Sequence, residues 1–252
     1  TVADAKPLGV YDRKGKLSRP SFPPAPGTEV ENVSDVMLNK FLGLDQETGI
    51  HLGDVQQHEL SAKFNLGRML RKHLAILAIS GAGKSYTTAV LLEELISREA
   101  GQGRVAVFIV DNHGEYASFA TDSNFQFHVQ IIKGDDVRLD TSAFNERAFQ
   151  SLLTGMTSAQ RRDLGRIISG LRKRKREEKA NYDLKDIVAA VRADESLKST
   201  TKDALAGWIH ELEQMKIFAN ANHPRLDNLL DPGKCIILDL SNIINLRKKQ
   251  LI

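Results

Sequence analysis

The sequence predicts an α/β protein with a mostly parallel, doubly wound sheet, interrupted by a helical insertion. Two observations carry this. Short apolar runs at 73–79, 105–111, 127–132 and 234–241 are bounded by Gly, Asp or polar residues, as strands buried on both faces are. An amphipathic pattern at 85–100 links the first two runs, so strand, helix and strand succeed one another.

Along the chain, five of the seven prolines fall within the first 26 residues, so 19–27 is an irregular linker. The segment 7–17 before it reads as a strand and a turn at 13–15. Next, 33–44 has helical spacing at Val36, Leu38 and Leu42, with Ser34 as cap and Gly43 as stop. A short strand is expected near His51, and Leu66, Met69 and Leu70 share a helical face. Helix 85–100 presents Ala89, Leu92, Leu95 and Ile96 on one stripe and is expected to end at Gly101. From 145 to 218 four helical patterns and no strand are expected, with caps at Thr157 or Ser158, Asp183, and Ser199 or Thr200. Trp208 and Phe218 fit the core face of this insertion. The chain stops at Ile252 within the opening turns of a further helix.

Composition is that of a globular protein, 41% hydrophobic and 27% charged. No apolar run reaches membrane-spanning length and no signal peptide opens the chain. The single cysteine, Cys235, excludes an internal disulfide and fits a reducing, cytoplasmic setting, where it reads as a small buried hydrophobe. The remaining histidines, including His51, His58 and His73, lack metal-ligand spacing.

The stretch 78–85, AISGAGKS, has phosphate-binding-loop spacing between a predicted strand and a predicted helix. Gly81 and Gly83 let backbone N–H groups turn toward phosphate oxygens, and the following helix aims its N-terminus at the same anion. Ser80, Gly81, Ala82, Gly83, Lys84, Ser85 and Tyr86 are the expected nucleotide contacts. Lys84 is expected on the β- and γ-phosphates of ATP, and Ser85 on Mg2+. Ala78 stands in the slot where glycine is usual; it is small enough to end the strand without crowding the loop.

A nucleotide hydrolase also needs a carboxylate at a strand tip. Asp111 and Asp239 both end apolar runs. Asp111 opens DNHGEY, so Asp111, His113 and Glu115 cluster where open α/β sheets bind ligands. Asp111 and Glu115 are therefore candidate catalytic groups near the γ-phosphate and metal; Asp111 also reads as a cap of the next turn. His113 reads equally as a phosphate sensor or as a backbone-bonding group. The run Arg172, Lys173, Arg174, Lys175, Arg176 fits phosphate contact or a solvated helix face partly neutralised by Glu177 and Glu178.

RKHLAIL leading into AISGAGKS, followed by FIVDNHGEY, resembles the HerA family of DNA translocases, related to FtsK. Further similarity runs through PLGVYDRKGKL, PAPGTEV, GIHLG, the helical insertion and KCIILDLS. Ala78, the Ser80-Gly81-Ala82 triplet and Asn112 depart from the family pattern without removing a needed group. The resemblance implies a RecA-like P-loop NTPase in a homohexameric ring. It implies translocation on double-stranded DNA, with a NurA-type nuclease, in DNA end resection and double-strand break repair. It implies an N-terminal arm, 1–30, left from a β-barrel; a first part of the ATPase core, 31–142; a helical insertion, 143–230; and a return to the core, 231–252. It further implies that the Walker B glutamates and a trans arginine finger lie beyond Ile252, that Asp239 is not the Walker B acid, and that the chain is incomplete at both ends. Two other classes stay open: a switch-type or small-molecule P-loop NTPase, with Asp111 as its Mg2+ carboxylate, and an ATP-binding module unable to hydrolyse alone. A GTPase is disfavoured because the lone Asn39-Lys40 pair precedes the loop and lacks the guanine-reading aspartate.

Overall fold

The structure, a computed structural model, describes residues 9–12, 16–225, 227 and 229–252. The chain divides into two compact units, 1–104 and 105–252.

In the first unit, β1 (Val10–Tyr11) and β2 (Leu17–Ser18) pair antiparallel; the predicted turn at 13–15 and residues 1–8 lie outside the described residues. Helix α1 (Asp35–Leu42) begins at Ser34, whose hydroxyl accepts from the Met37 N–H, and ends on Gly43 at φ 65°. Both caps match the sequence, yet α1 buries none of its residues. An antiparallel hairpin, β3 (Ile50–Asp54) and β4 (Ser61–Phe64), carries a bulge after His51. The single turn α2 (Leu66–Met69) starts on Asn65. Helix α3 (Lys84–Ile96) packs against β3 and buries Leu91, Leu92, Leu95 and Ile96, while Ala89 is half-buried. It stops at Ser97, short of the predicted Gly101, which sits instead in a 3-10 turn. Arg98 accounts for the early stop. Its guanidinium is buried and donates to the carbonyls of Thr48 at 2.7 Å, Gly103 at 2.9 Å and Gln102, folding the chain back on itself.

Residues 73–79 are not the predicted buried strand. Among the described residues they pair with no strand, and Leu77 and Ile79 are 88% and 82% exposed. Apolar patterning reports which side chains are fit for burial. A strand exists only where a neighbour takes its backbone hydrogen bonds, and among the described residues this run has none.

The second unit is built on a three-stranded parallel sheet in the order β5 (Val107–Asp111), β9 (Cys235–Asp239), β6 (Val129–Lys133). All five residues of β9 are buried, as a central strand requires. Cys235 is fully buried, which pushes its thiol up to about 11. The two flanking strands are in matching register, so Asp111, Asp239 and Lys133 form one row at the carboxyl edge. Among the described residues β5 has no second partner, and Phe108 and Val110 on it are 41% and 56% exposed.

The insertion forms α4 (Glu146–Leu152), α5 (Ser158–Glu178), α6 (Leu184–Ala193) and α7 (Ser199–Gln214) around one core that includes Phe149, Leu164, Ile168, Ile187, Leu205 and Leu212. Trp208 and Phe218 pack against that core. Thr157 caps α5 in a capping box with Gln160, and Asp183 caps α6. The predicted cap of α7 is displaced: Lys198 takes the N-cap position, no side-chain bond is made, and Ser199 is already helical. Two strands here were missed. Phe218–Ala219 (β8) pairs in parallel with Leu139–Asp140 (β7), returning the insertion to the segment it left. After β9, Asn245 caps a last helix, α8 (Leu246–Leu251).

Candidate functional site: a phosphate loop and an acidic-edge turn

The loop before α3 has the conformation its glycines allow. Gly81 and Gly83 hold φ of 79° and 85°, the left-handed region that strains any residue with a Cβ. Gly83 is the N-cap and supplies no side-chain bond to the helix, so the first-turn N–H groups are not capped by a side chain. No acidic residue stands in that first turn. The Ala82 N–H donates to the Ile79 carbonyl at 3.3 Å, and the Lys84 amine donates to the same oxygen at 3.0 Å, so the lysine folds back over the loop. Ser80, Gly81, Ala82, Gly83, Ser85 and Tyr86 are exposed. Two left-handed glycines, an uncapped helix N-terminus, a lysine over the loop and a hydroxyl at Ser85 form a donor set that fits a nucleotide polyphosphate with Mg2+.

In the second unit DNHGEY forms a tight turn after β5, organised by Asp111. Oδ1 accepts from the N–H groups of His113, Gly114 and Glu115 at 3.1, 2.8 and 3.2 Å, and Oδ2 accepts from Tyr116 N–H at 2.9 Å. Burial of Asp111, 2% exposed, works to raise its pKa; the backbone donors of Tyr116, His113, Glu115 and Gly114 outweigh it and hold the carboxyl below its ordinary value. The carboxylate thus spends both oxygens on the backbone, and His113 and Glu115 stand exposed on the turn it holds. Gly114 adopts φ 75°, and a Cβ there would meet Ser241 Cβ and Oγ at 3.3 Å, so two constraints require glycine.

Beside this turn lies a pair that the sequence reading passed over. Lys133 Nζ sits 2.6 Å from Asp239 Oδ2, while Asp239 Oδ1 accepts from the Ser241 N–H at 2.9 Å and its hydroxyl at 2.6 Å. Lys133 first, and then Ser241, draws the Asp239 carboxyl down to about 2. The signal was present: Lys133 ends an apolar run just as the two aspartates do. Helix α8 closes on the same edge, with Lys249 Nζ donating to the Asn112 carbonyl at 3.1 Å and the buried Lys248 2.6 Å from Asp135.

The basic run lies in the last turns of α5 and is not uniform. Arg172 and Lys175 turn toward acids, Glu146 and Asp140, each at 3.6 Å; Lys173 lies 4.0 Å from Glu177, and Lys173, Arg174 and Arg176 are exposed.

A family model for the central domain of helicase HerA matches residues 50–252. The chain belongs to this family. It is 35% identical over 122 residues to a probable helicase of Methanocaldococcus jannaschii, covering 48% of this chain and 22% of the relative. It is 28% identical over 179 residues to the DNA double-strand break repair helicase HerA of Saccharolobus solfataricus, covering 69% of this chain and 33% of that HerA. The chain therefore spans roughly a fifth to a third of the length of these two relatives. The solved structure of VirB4 of Thermoanaerobacter pseudethanolicus shares the fold, with a TM-score of 0.52 at 18% identity over 82% of this chain and 61% of VirB4. Among the described residues no helix is long and apolar enough to cross a membrane.

Proposed function

We propose that this chain is the nucleotide-binding central part of an ATP-driven motor acting on double-stranded DNA. The observation that carries this is the loop at 78–85, whose two left-handed glycines open onto the uncapped N-terminus of α3 within a HerA-family chain. The backbone N–H groups of 81–86 and the Lys84 amine would hold the polyphosphate, and the Ser85 hydroxyl would hold Mg2+. Bound MgATP supplies the phosphoanhydride whose hydrolysis powers movement. In this reading Lys84 neutralises charge on the β- and γ-phosphates. Asp111 acts as a positioning residue that holds the turn carrying His113 and Glu115. The basic end of α5 meets the DNA backbone. The names of the relatives, DNA double-strand break repair helicases, support a role in break repair. A hexameric ring, a NurA-type partner nuclease in end resection and a cytoplasmic setting belong to the same proposal. So does the division into arm (1–30), core (31–142 and 231–252) and insertion (143–230).

The test is ATP hydrolysis with and without duplex DNA, in wild type and Lys84→Ala, measured on a full-length version that contains this chain. Duplex should stimulate the wild type, and the variant should lose at least about a hundredfold in turnover. Undiminished turnover in Lys84→Ala, or indifference of the wild type to DNA, would overturn the proposal.

A further inference from the structure

The C-terminal end of α5 encloses a cavity of about 580 Å³ lined by Ser142, Ala143, Arg172, Lys175, Arg176 and Lys179. Four of these six residues are cations. Two are pre-set from behind: Lys175 is held by the Asp140 carboxylate at 3.6 Å and by the Ser142 hydroxyl, and Arg172 by Glu146 at 3.6 Å. The other two form no ion pair within 4 Å among the described residues, although Arg176 shares the field of Glu146 with Arg172. Arg176 donates only to the Arg172 carbonyl, at 3.5 Å, and Lys179 ends the helix in the left-handed conformation, φ 55°. Glycine or asparagine is the favoured residue at such a helix end; a lysine there keeps a cation at the cavity wall. Glu177 lies beside Lys173, and Glu178 lines a neighbouring cavity with Arg174 and Lys175 rather than this one.

We propose that this cavity is a seat for a backbone phosphate of duplex DNA, with Arg176 and Lys179 as its direct contacts and Arg172 and Lys175 as the pre-oriented rear wall. This rests on the DNA-motor reading and assigns its contact point. The ligand class follows from the lining. It offers excess positive charge and donors but no aromatic face on which an unpaired base could stack, which suits phosphate contact rather than single-strand binding.

The test is fluorescence anisotropy of a labelled duplex over a series of salt concentrations. It compares wild type, Arg176→Gln/Lys179→Gln, Lys179→Gly, and a control pair of equal charge change on exposed lysines away from the cavity, Lys185→Gln/Lys198→Gln. The slope of log K against log salt is about −0.9 per neutralised phosphate, so losing the one seated phosphate should flatten it by about 0.9 in the cavity pair, and Lys179→Gly, which keeps Arg176, should flatten it by part of that. The control pair should flatten it by less than half as much as the cavity pair. Lys179→Gly places glycine at a conformation it favours, so its loss of binding does not come from misfolding. Equal losses in the two pairs, with wild type binding normally, would overturn the cavity and leave the DNA reading intact. Absence of salt-dependent duplex binding in the wild type would overturn both.

Discussion

Replacing Asp111 by Asn tests whether the DNHGEY turn is built by one carboxylate. The change preserves shape and removes the charge and one acceptor. If the asparagine carbonyl faces the three donors His113, Gly114 and Glu115, its NH2 group faces the Tyr116 N–H, and the 2.9 Å bond is lost. A buried charge-assisted bond of this kind is worth about 2 kcal/mol, and the other three weaken by a few tenths each as their acceptor becomes neutral, for a total of about 3 kcal/mol. At 2% exposure water does not replace what is lost. In a unit of roughly 150 residues this lowers Tm by about 6–12 °C. The assay is thermal unfolding by circular dichroism without nucleotide or Mg2+, together with amide exchange at 113–116. A Tm within about 2 °C of wild type, with exchange at 113–116 unchanged, would refute the capping argument. Loss of metal-dependent nucleotide binding alone would place Asp111 among the metal ligands instead.

Gly134→Ala should destabilise by about 1–3 kcal/mol through overpacking, because its Cβ would collide with the buried Ile243 side chain, sit 2.7 Å from Leu240 Cδ2 and press the Asp239 carbonyl at 3.3 Å; urea unfolding measures it, and a change below about 0.5 kcal/mol would contradict the packing described. Asp239 ionises below its ordinary value, so its pairing stabilises the fold above about pH 4 and is lost as pH falls toward about 2. With the Lys133 side chain 51% exposed, screening limits the gain to about 1 kcal/mol. Lys133→Met should therefore weaken the protein at neutral pH and converge with wild type near pH ~2; a gap that persists at low pH would assign the loss to packing.

How much was legible depends on how far apart the interacting residues lie. Ser34, Thr157 and Asp183 cap helices from within three residues, and all three were visible in the sequence. So were the apolar runs of β5, β6 and β9. The loop glycines were also readable, since a left-handed N-cap is a local demand met by Gly83. The failures have a common cause. The run 73–79 is apolar enough for a strand but lacks a pairing neighbour among the described residues. Strand β8 is only two residues long and exists because β7, far back in the chain, receives it. Lys133 and Asp239 stand 106 positions apart, and no spacing rule joins them.

The sequence by itself determined the type of element along most of the chain, the glycines that shape the loop before α3 and, through the pairing of that loop with DNHGEY, the family. Each of these depends on residues within a few positions of one another, where side-chain chemistry and backbone conformation are directly coupled. Only the tertiary structure decided which groups are spent and which are available. It set both Asp111 oxygens on backbone donors, tied Lys133 to Asp239, and divided one basic run into Arg172, Lys173 and Lys175, which lie within 4.0 Å of acids, and Arg174 and Arg176, which among the described residues do not. Electrostatic partnership depends on distance in space, and the sheet and the helical insertion create that distance by bringing remote segments together.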